Sequence, residues 1–503
     1  MRVSKTKSMK QSRDLVLEPT RVGVPRLDPY QRLLARFYES LFLLKSLGQT
    51  RGGYTAEPAS LDDNQTRRRR FLQNLSYICD FKKGGRACTA IAVEDRPDCN
   101  RFWVASNMDV HKIVSFVEEI LGSLRGAEPS PGHDQSPADS VLIQRCATFA
   151  VERIEDEGKC LRRYATKCIS KLAEQDLEAA QELLKWLKQA ISHRNNVLLC
   201  TFAYNHRHSG HTYELAAQAL RDKRSLGPTM RASPFDLVRH YLGRLAQHIR
   251  APKSLVEDSY HLEYLIQSRT VCAVSAGPAV PCPMRDLHTN LSGILNRMFK
   301  SDDEERAMVE EGLLYINKTN SIFHDFVSEY DDRARQVHAE IQILEHFHQK
   351  KLSFVDGDRY IACSKPACLC CELYFKYHPA HMVVPSSHQK VWTAWSPPFL
   401  PAFVKGDSAT QVQKRILSSI SQDLRVQIIQ QVLQRSRPSR WHPDSRTGIT
   451  DICPELDFDS LEEQDNSSIK VDSSGAEDDG EHENPVDLED GGVCMNIQSN
   501  ESI

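Results

Sequence analysis

His338-Ala339-Glu340, followed further along by Cys368-Leu369-Cys370-Cys371, assembles the residue types of a hydrolytic metal centre. The set supplies one imidazole, two thiols at i and i+3, and one carboxylate. Catalytic zinc is usually held by three protein ligands, with the fourth position left to water. On a helix, positions i and i+3 share a face, so Cys368 and Cys371 can turn toward one ion. Pro366 marks a helix start just ahead of them, and the positive end of a helix dipole favours the thiolate that a metal needs. The polar run Asp331 to Arg335 suggests that His338 opens a helix of its own. Two helix N-termini would then face one metal. Glu340 is the discriminating residue. A structural zinc site has no use for an unligated carboxylate two positions from its histidine. A hydrolytic site does, because zinc lowers the pKa of water to about 7 and a carboxylate alongside can carry the proton.

Other assignments compete at this stage. H-x-E alone arises about once by chance in a chain with this many histidines, and C-x-x-C about once in two such chains. Their order, separation and placement on a helix–strand–helix frame make coincidence much rarer. Cys370 could replace Cys371 as a ligand, although i, i+2 geometry on a helix is poor. Cys363 ends the preceding strand and reads as core packing. His346 and His348 share the helix of His338, but no H-E-x-x-H is present, so a zincin reading fails. His378, His381 and His388 each read as surface or pocket-rim histidines. A Cys/His-rich core helix or a structural zinc knuckle remains the bland alternative.

The elements that must position these residues are legible in outline. Val337 to Gln349 is helical in pattern, Arg359 to Cys363 reads as a strand, the stretch after Pro366 as a helix, and Met382 to Val384 as another strand. Upstream, Tyr30, Leu33, Leu34, Phe37, Leu41 and Leu44 recur at helical spacing. The runs Ala87 to Val93 and Arg101 to Ala105, joined by a turn rich in Asp and Pro, read as a hairpin with Trp103 as a core anchor. Val110 to Leu124 is amphipathic, and Glu128 to Pro137 is a linker. Helical periods then cover about 139–156, 158–174, 177–193, 212–222, 235–249 and 253–267, with a short core segment from Val197 to Tyr204. Ala409 to Gln434 is a long amphipathic helix. No fixed repeat period argues for a solenoid.

Composition bounds the rest. The 503 residues are 40% apolar, enough for a sizeable core, and carry a net charge of -3. Residues 451–503 hold 17 Asp and Glu against Lys470, a local charge of -16 that leaves +13 on the other 450. That balance permits a nucleotide or nucleic acid partner without requiring one. The tail has too little apolar surface to offset its ordering entropy and is expected to be disordered. The basic run Arg67 to Arg70 reads first as a solvated helix face and only second as a phosphate-contacting or nuclear-import segment. The 15 cysteines are scattered, no leader-like apolar segment opens the chain, and no stretch reaches the ~18 apolar residues of a membrane span. These features point to reduced thiols and an intracellular location, cytoplasmic or nuclear.

H-x-E with C-x-x-C is the pattern of zinc-dependent base deaminases. The chain resembles the cytidine-deaminase-like superfamily, and within it the fungal nucleic acid/nucleotide deaminase family related to bacterial toxin deaminases. The resemblance rests on Val337-His338-Ala339-Glu340-Ile341-Gln342, on Ile361 to Cys371, and on Ser387-His388-Gln389-Lys390-Val391 with Trp395 beyond. Gly84-Gly85, Thr89 to Val93, Phe102 to Asn107 and His248-Ile249-Arg250-Ala251-Pro252 look like the same family's upstream segments, so the likeness covers about residues 28–405. Many relatives place Pro directly before the first Cys, where Ala367 stands here.

The resemblance implies an α/β fold, a three-layer α/β/α deaminase-like core with a mixed sheet, carrying a large all-α insertion. It implies Zn2+ as cofactor, with His338, Cys368 and Cys371 as ligands and Glu340 as proton shuttle. It also implies a substrate contact from Asn107, for which a strand-end turn residue is an equal alternative. The expected organisation is a disordered basic N-terminus (1–27), an N-terminal helix with the first hairpin (28–107), a helical insertion (108–330), the zinc-binding core (331–405), a C-terminal amphipathic helix (406–440) and a disordered acidic tail (441–503). The expected function is hydrolytic deamination of a base in a nucleotide or nucleic acid. A catalytically inactive zinc-stabilised scaffold and hydrolysis of another C–N bond stand beside it, and no membrane partner is expected.

Overall fold

The computed structural model describes residues 28–60, 62–125, 137–175, 178–226, 232–286, 288–300, 302–331, 334–436, 439 and 442–445. The expected N-terminal segment 1–27, nearly all of the acidic tail and most of the 128–137 linker lie outside these residues.

The first elements are α1 (Pro29–Ser46), α2 (Asp63–Ile78), β1 (Thr89–Asp95), β2 (Asn100–Ser106) and α3 (Val110–Leu124). A helical series follows: α4 (Pro137–Phe149), α5 (Val151–Ala173), α6 (Glu178–Ser192), α7 (Asn196–His206), α8 (Gly210–Leu226) and α9 (Pro234–Ser259). The chain then runs through α10 (Glu263–Ile266), β3 (Arg269–Ala273), α11 (Leu291–Met298), α12 (Glu305–Asn320), α13 (Ile322–Ser328), α14 (Ala339–Lys350), β4 (Ala362–Cys363), α15 (Leu369–Tyr377) and α16 (Ser408–Leu433).

The chain divides into two compact units. One comprises the described parts of Met1–Cys79, Cys88–Pro129 and Leu255–Asp444; the other those of Asp80–Ala87, Ser130–Ser254 and Ser445–Ile503. The expected insertion at 108–330 is thus split. Residues 130–254 fall in the second unit, while α3, β3 and α11–α13 fall in the first, α3 and β3 packing with the sheet.

In the first unit the sheet order is β3-β2-β1-β4. β1 pairs antiparallel with β2, and β2 parallel with β3. β4 joins β1 through only two pairs, Ala90 with Cys363 and Ile91 with Ala362. Side chains alternate across a strand. Ala90, Ala92 and Ala105 share one face and belong to the core that includes α14 and α15. Their small size lets α14 lie close to the sheet. Ile91, Val93, Phe102 and Val104 are buried on the opposite face, where α2 packs on β1 and β4, and α3 on β2 and β3. The first unit thus holds a three-layer α/β core, and the protein also has a large helical portion.

Local chemistry sets the ends of the helices. Asp28 accepts from the N–H groups of Tyr30 and Gln31, with Pro29 at the first position of α1. Asp62 caps α2 and Asp407 caps α16 in the same way. The Arg67 to Arg70 run is only partly solvated, with Arg68 buried and Arg70 exposed, and is ion-paired. Arg68 pairs with Asp356 and Asp358, Arg69 with Asp358 at 2.7 Å, and Arg70 with Asp258.

In the second unit, Glu157 is buried among Arg153 (2.9 Å), Arg244 (2.8 Å) and His248 (3.0 Å). Burial alone would raise its pKa, but the two guanidinium groups outweigh this and hold the carboxyl well below its ordinary range.

Several boundaries differ from the sequence expectation. The break expected near 157 falls instead at Ala150, and α5 runs through Gly158. A Cβ at Gly158 would meet Leu199 of α7 at 3.1 Å, so the glycine serves close helix packing rather than a turn. α9 continues through Pro252, flanked by the buried Ala251 and Leu255. β3 arises from a segment that carries no expected strand. Met382 to Val384 forms no strand: Val383 donates one N–H to Arg359 O, and His381 before it sits in the left-handed region. No helix among the described residues is long and apolar enough to cross a membrane.

Candidate metal centre

His338 is the N-cap of α14 and Cys368 the N-cap of α15, both in extended conformation, with Cys371 in the first turn of α15. Non-local pairing holds each entry. Gln336 N–H donates to Ala394 O and Ser396 N–H to Gln336 O, both at 2.9 Å, which fixes the chain leading into His338 beside Trp395. Ala367 N–H donates to Ser386 O (2.8 Å), His388 N–H to Ala367 O (3.0 Å) and Leu369 N–H to Lys390 O (3.0 Å). These bonds clamp the approach to Cys368.

His338 Nδ1 lies 3.6 Å from Cys368 Sγ and 3.3 Å from Cys371 Sγ. All three donor atoms lie within 4.8 Å of one another. Zinc bonds of ~2.0–2.1 Å to nitrogen and ~2.3 Å to sulfur, at a tetrahedral angle, place such donors about 3.6 Å apart. The residues therefore fit the ion in type, number and spacing. Trp395 is fully buried and its Nε1–H donates to Cys371 Sγ at 3.2 Å. Such outer partners orient a ligand and tune its basicity.

The electrostatics favour a charged pair, His338 with Cys368, beside a neutral Cys371. Burial by itself would lower the His338 pKa, but the charge and hydrogen bond of Cys368 push it up to about 9. Burial by itself would raise Cys368, but its hydrogen bonds to Cys371 and His338 bring it down to about 6. Burial and the neighbouring Cys368 hold the Cys371 thiol well above its ordinary value. A thiolate beside an imidazolium is a state that a cation can replace by displacing protons.

Glu340 is buried in the first turn of α14. It reaches toward Cys371 and groups with two further thiols, Cys363 and Cys88. Cys363 Sγ lies 3.9 Å from Glu340 Oε2, and Cys88 Sγ lies 3.3 Å from Cys363 Sγ. The sequence reading left Cys363 as packing and passed over Cys88. Its only local signal is its place immediately before β1, because its approach to Cys363 is made by strand pairing.

Asn107 lies just past β2. Its N–H donates to Cys88 O at 3.3 Å, and Ser106 Oγ donates to the same carbonyl at 3.2 Å. The residue thus sits at the strand end beside the Glu340 group. Cys370 is fully buried and outside both groups, and burial pushes its thiol well up. His378 is buried against Glu345 at 3.2 Å, and His346 packs on the Trp103 ring. His388 is buried, and that burial lowers its pKa to about 4.

A three-layer α/β core that gathers an imidazole and two thiols at two helix N-termini, with a carboxylate in the same first turn as the imidazole, forms a candidate metal centre of deaminase-like composition. Residues 337–399 match the family described as OTT_1508_deam-like deaminase, and the chain carries a deaminase-like domain of the cytidine-deaminase-like superfamily. The matched stretch contains His338, Glu340, Cys368, Cys371 and Trp395. No curated protein and no solved structure gives a significant match.

Proposed function

We propose that this protein is a zinc-dependent hydrolytic deaminase acting on an amino-bearing base of a nucleotide or nucleic acid. The observation that carries the reading is the approach of His338 Nδ1 to both thiols, 3.3 and 3.6 Å away, with Glu340 in the same turn as the histidine. His338, Cys368 and Cys371 would hold the ion. When bound there, zinc supplies a Lewis acid that makes water a nucleophile near neutral pH. Glu340 accepts a proton from the attacking water and passes protons to the ring nitrogen and the departing amine. The amidine C–N bond breaks, a carbonyl forms, and ammonia leaves. Burial of Glu340 keeps bulk water from competing for that proton. Asn107, beside Cys88 at the strand end, is the proposed substrate contact.

In the Arg67 to Arg70 run, Arg68 and Arg69 are held by Asp356 and Asp358 and Arg70 by Asp258, so the proposal does not rest on this run. The test is ammonia release by the zinc-replete chain from cytosine- and adenine-bearing nucleosides, nucleotides and oligonucleotides. Release from at least one class, with conversion of its amino group to a carbonyl, is the expected result. Silence across the panel by a fully zinc-loaded protein contradicts the proposal.

A further inference from the structure

We infer that Cys88, Cys363 and Glu340 form a second metal site, suited to a soft divalent cation, alongside the His338–Cys368–Cys371 trio. The three donors arrive from different elements: Cys88 immediately before β1, Cys363 at the end of β4, and Glu340 in the first turn of α14. Their ligand atoms all lie within 4.8 Å of one another. Two sulfurs bound to one ion at ~2.3 Å, at a tetrahedral angle, stand about 3.8 Å apart, and a sulfur and a carboxylate oxygen about 3.6 Å. The observed separations are 3.3 Å between the sulfurs and 3.9 Å from Cys363 Sγ to Glu340 Oε2. Only small side-chain shifts separate these positions from ligation.

The scaffold around the donors is fixed. The Cys88 carbonyl is held by Ser106 Oγ and the Asn107 N–H. Cys363 is paired with Ala90, and its carbonyl accepts from Gln73 Nε2. Ser364 Oγ donates to Cys88 Sγ at 3.6 Å, a bond of the kind that orients a ligating sulfur. Two thiolates and one carboxylate select zinc or cadmium over magnesium or calcium, which prefer all-oxygen cages. Because Glu340 is shared, filling this site withdraws the carboxylate from proton transfer. That consequence for turnover rests on the deaminase reading; the site itself does not.

The test is cadmium titration of the full chain, kept reduced with a phosphine, followed by native mass spectrometry and thiolate-to-cadmium absorption. The wild type is expected to take up two cadmium ions per chain. Cys88→Ser and Cys363→Ser are each expected to take up one, with unchanged circular dichroism. A Cys368→Ser/Cys371→Ser double variant is expected to keep one ion, held by Cys88, Cys363 and Glu340. A wild type saturating at one ion that a folded Cys88→Ser chain retains, or two ions retained by a folded Cys88→Ser chain, overturns the inference. If instead the double variant binds as many ions as the wild type while Cys88→Ser loses one, the first site fails and the second stands.

Discussion

His338 Nδ1 stands 3.3 Å from Cys371 Sγ, although 33 positions of chain separate the two residues. The helix N-termini of α14 and α15 create that approach, and both are held by main-chain pairing to residues 386–396. Losing either donor should leave an incomplete ligand set. His338→Ala and Cys371→Ser are expected to lower zinc affinity by more than the roughly 10–100-fold typical of outer-shell changes. Competition with a chromogenic chelator measures this, and wild-type affinity in both variants would remove these residues from the ligand set.

Trp395 tests the outer support. Its indole N–H is the donor to Cys371 Sγ. Trp395→Phe keeps an aromatic ring while removing that donor. It should weaken zinc binding about 10-fold and cost about 2 kcal/mol of stability through lost packing. The split between chelator competition and urea unfolding separates the two effects. A variant that is destabilised but binds zinc like the wild type would confine Trp395 to packing.

The candidate ligands were legible in the sequence because an i, i+3 thiol pair and a histidine at a helix start are local signals, and the structure places His338 and Cys368 at N-caps. Their approach to one another was not, because it depends on main-chain pairing to residues 386–396. Cys88 was not legible, because it reaches Cys363 only once β1 and β4 pair. The hairpin followed from two apolar runs and a polar turn; its register, from Thr89 opposite Ser106 to Asp95 opposite Asn100, came only with the structure. β3 was not legible either, since Arg269 to Ala273 offers five residues and pairs in parallel with a strand far back in the chain. The expected periods ended at 156 and 249, just ahead of Gly158 and Pro252. Tertiary packing carries α5 and α9 through both, at a propensity cost of about 1 kcal/mol for glycine and about 3 kcal/mol for proline.

Arg68 decides between a structural and a nucleic-acid role for the basic run. Its side chain is 6% exposed and pairs with Asp356 and Asp358, the latter 4% exposed. Arg69 still holds Asp358 and Asp356 is largely exposed, so Arg68→Ala should cost only about 1–2 kcal/mol, through lost packing and hydrogen bonds. Oligonucleotide affinity at low salt should be unchanged while the chain stays folded. A selective loss of that affinity, with stability intact, would reverse the assignment.

His388 gives the protein a pH signature. Burial, only partly offset by Asp444, lowers its pKa from 6.5 to about 4. The folded value lies below the unfolded one, so protonation favours the unfolded chain. The contribution is fully present above pH ~6.5 and is lost as pH falls through about 4, amounting to about 3 kcal/mol. His388→Gln should flatten the difference between urea unfolding at pH 7 and at pH 4.5. An equal acid sensitivity in variant and wild type would place the effect in other groups.

The most direct measurement compares Glu340→Gln with the wild type at matched zinc content, using a substrate from which the wild type releases ammonia. The variant is predicted to retain zinc at His338, Cys368 and Cys371 while its ammonia release falls by roughly 10²–10⁴-fold, the usual contribution of a positioned acid–base group. Release at the wild-type rate by the zinc-loaded variant would contradict the assignment of Glu340 as the proton carrier and, with it, the deaminase account of this centre.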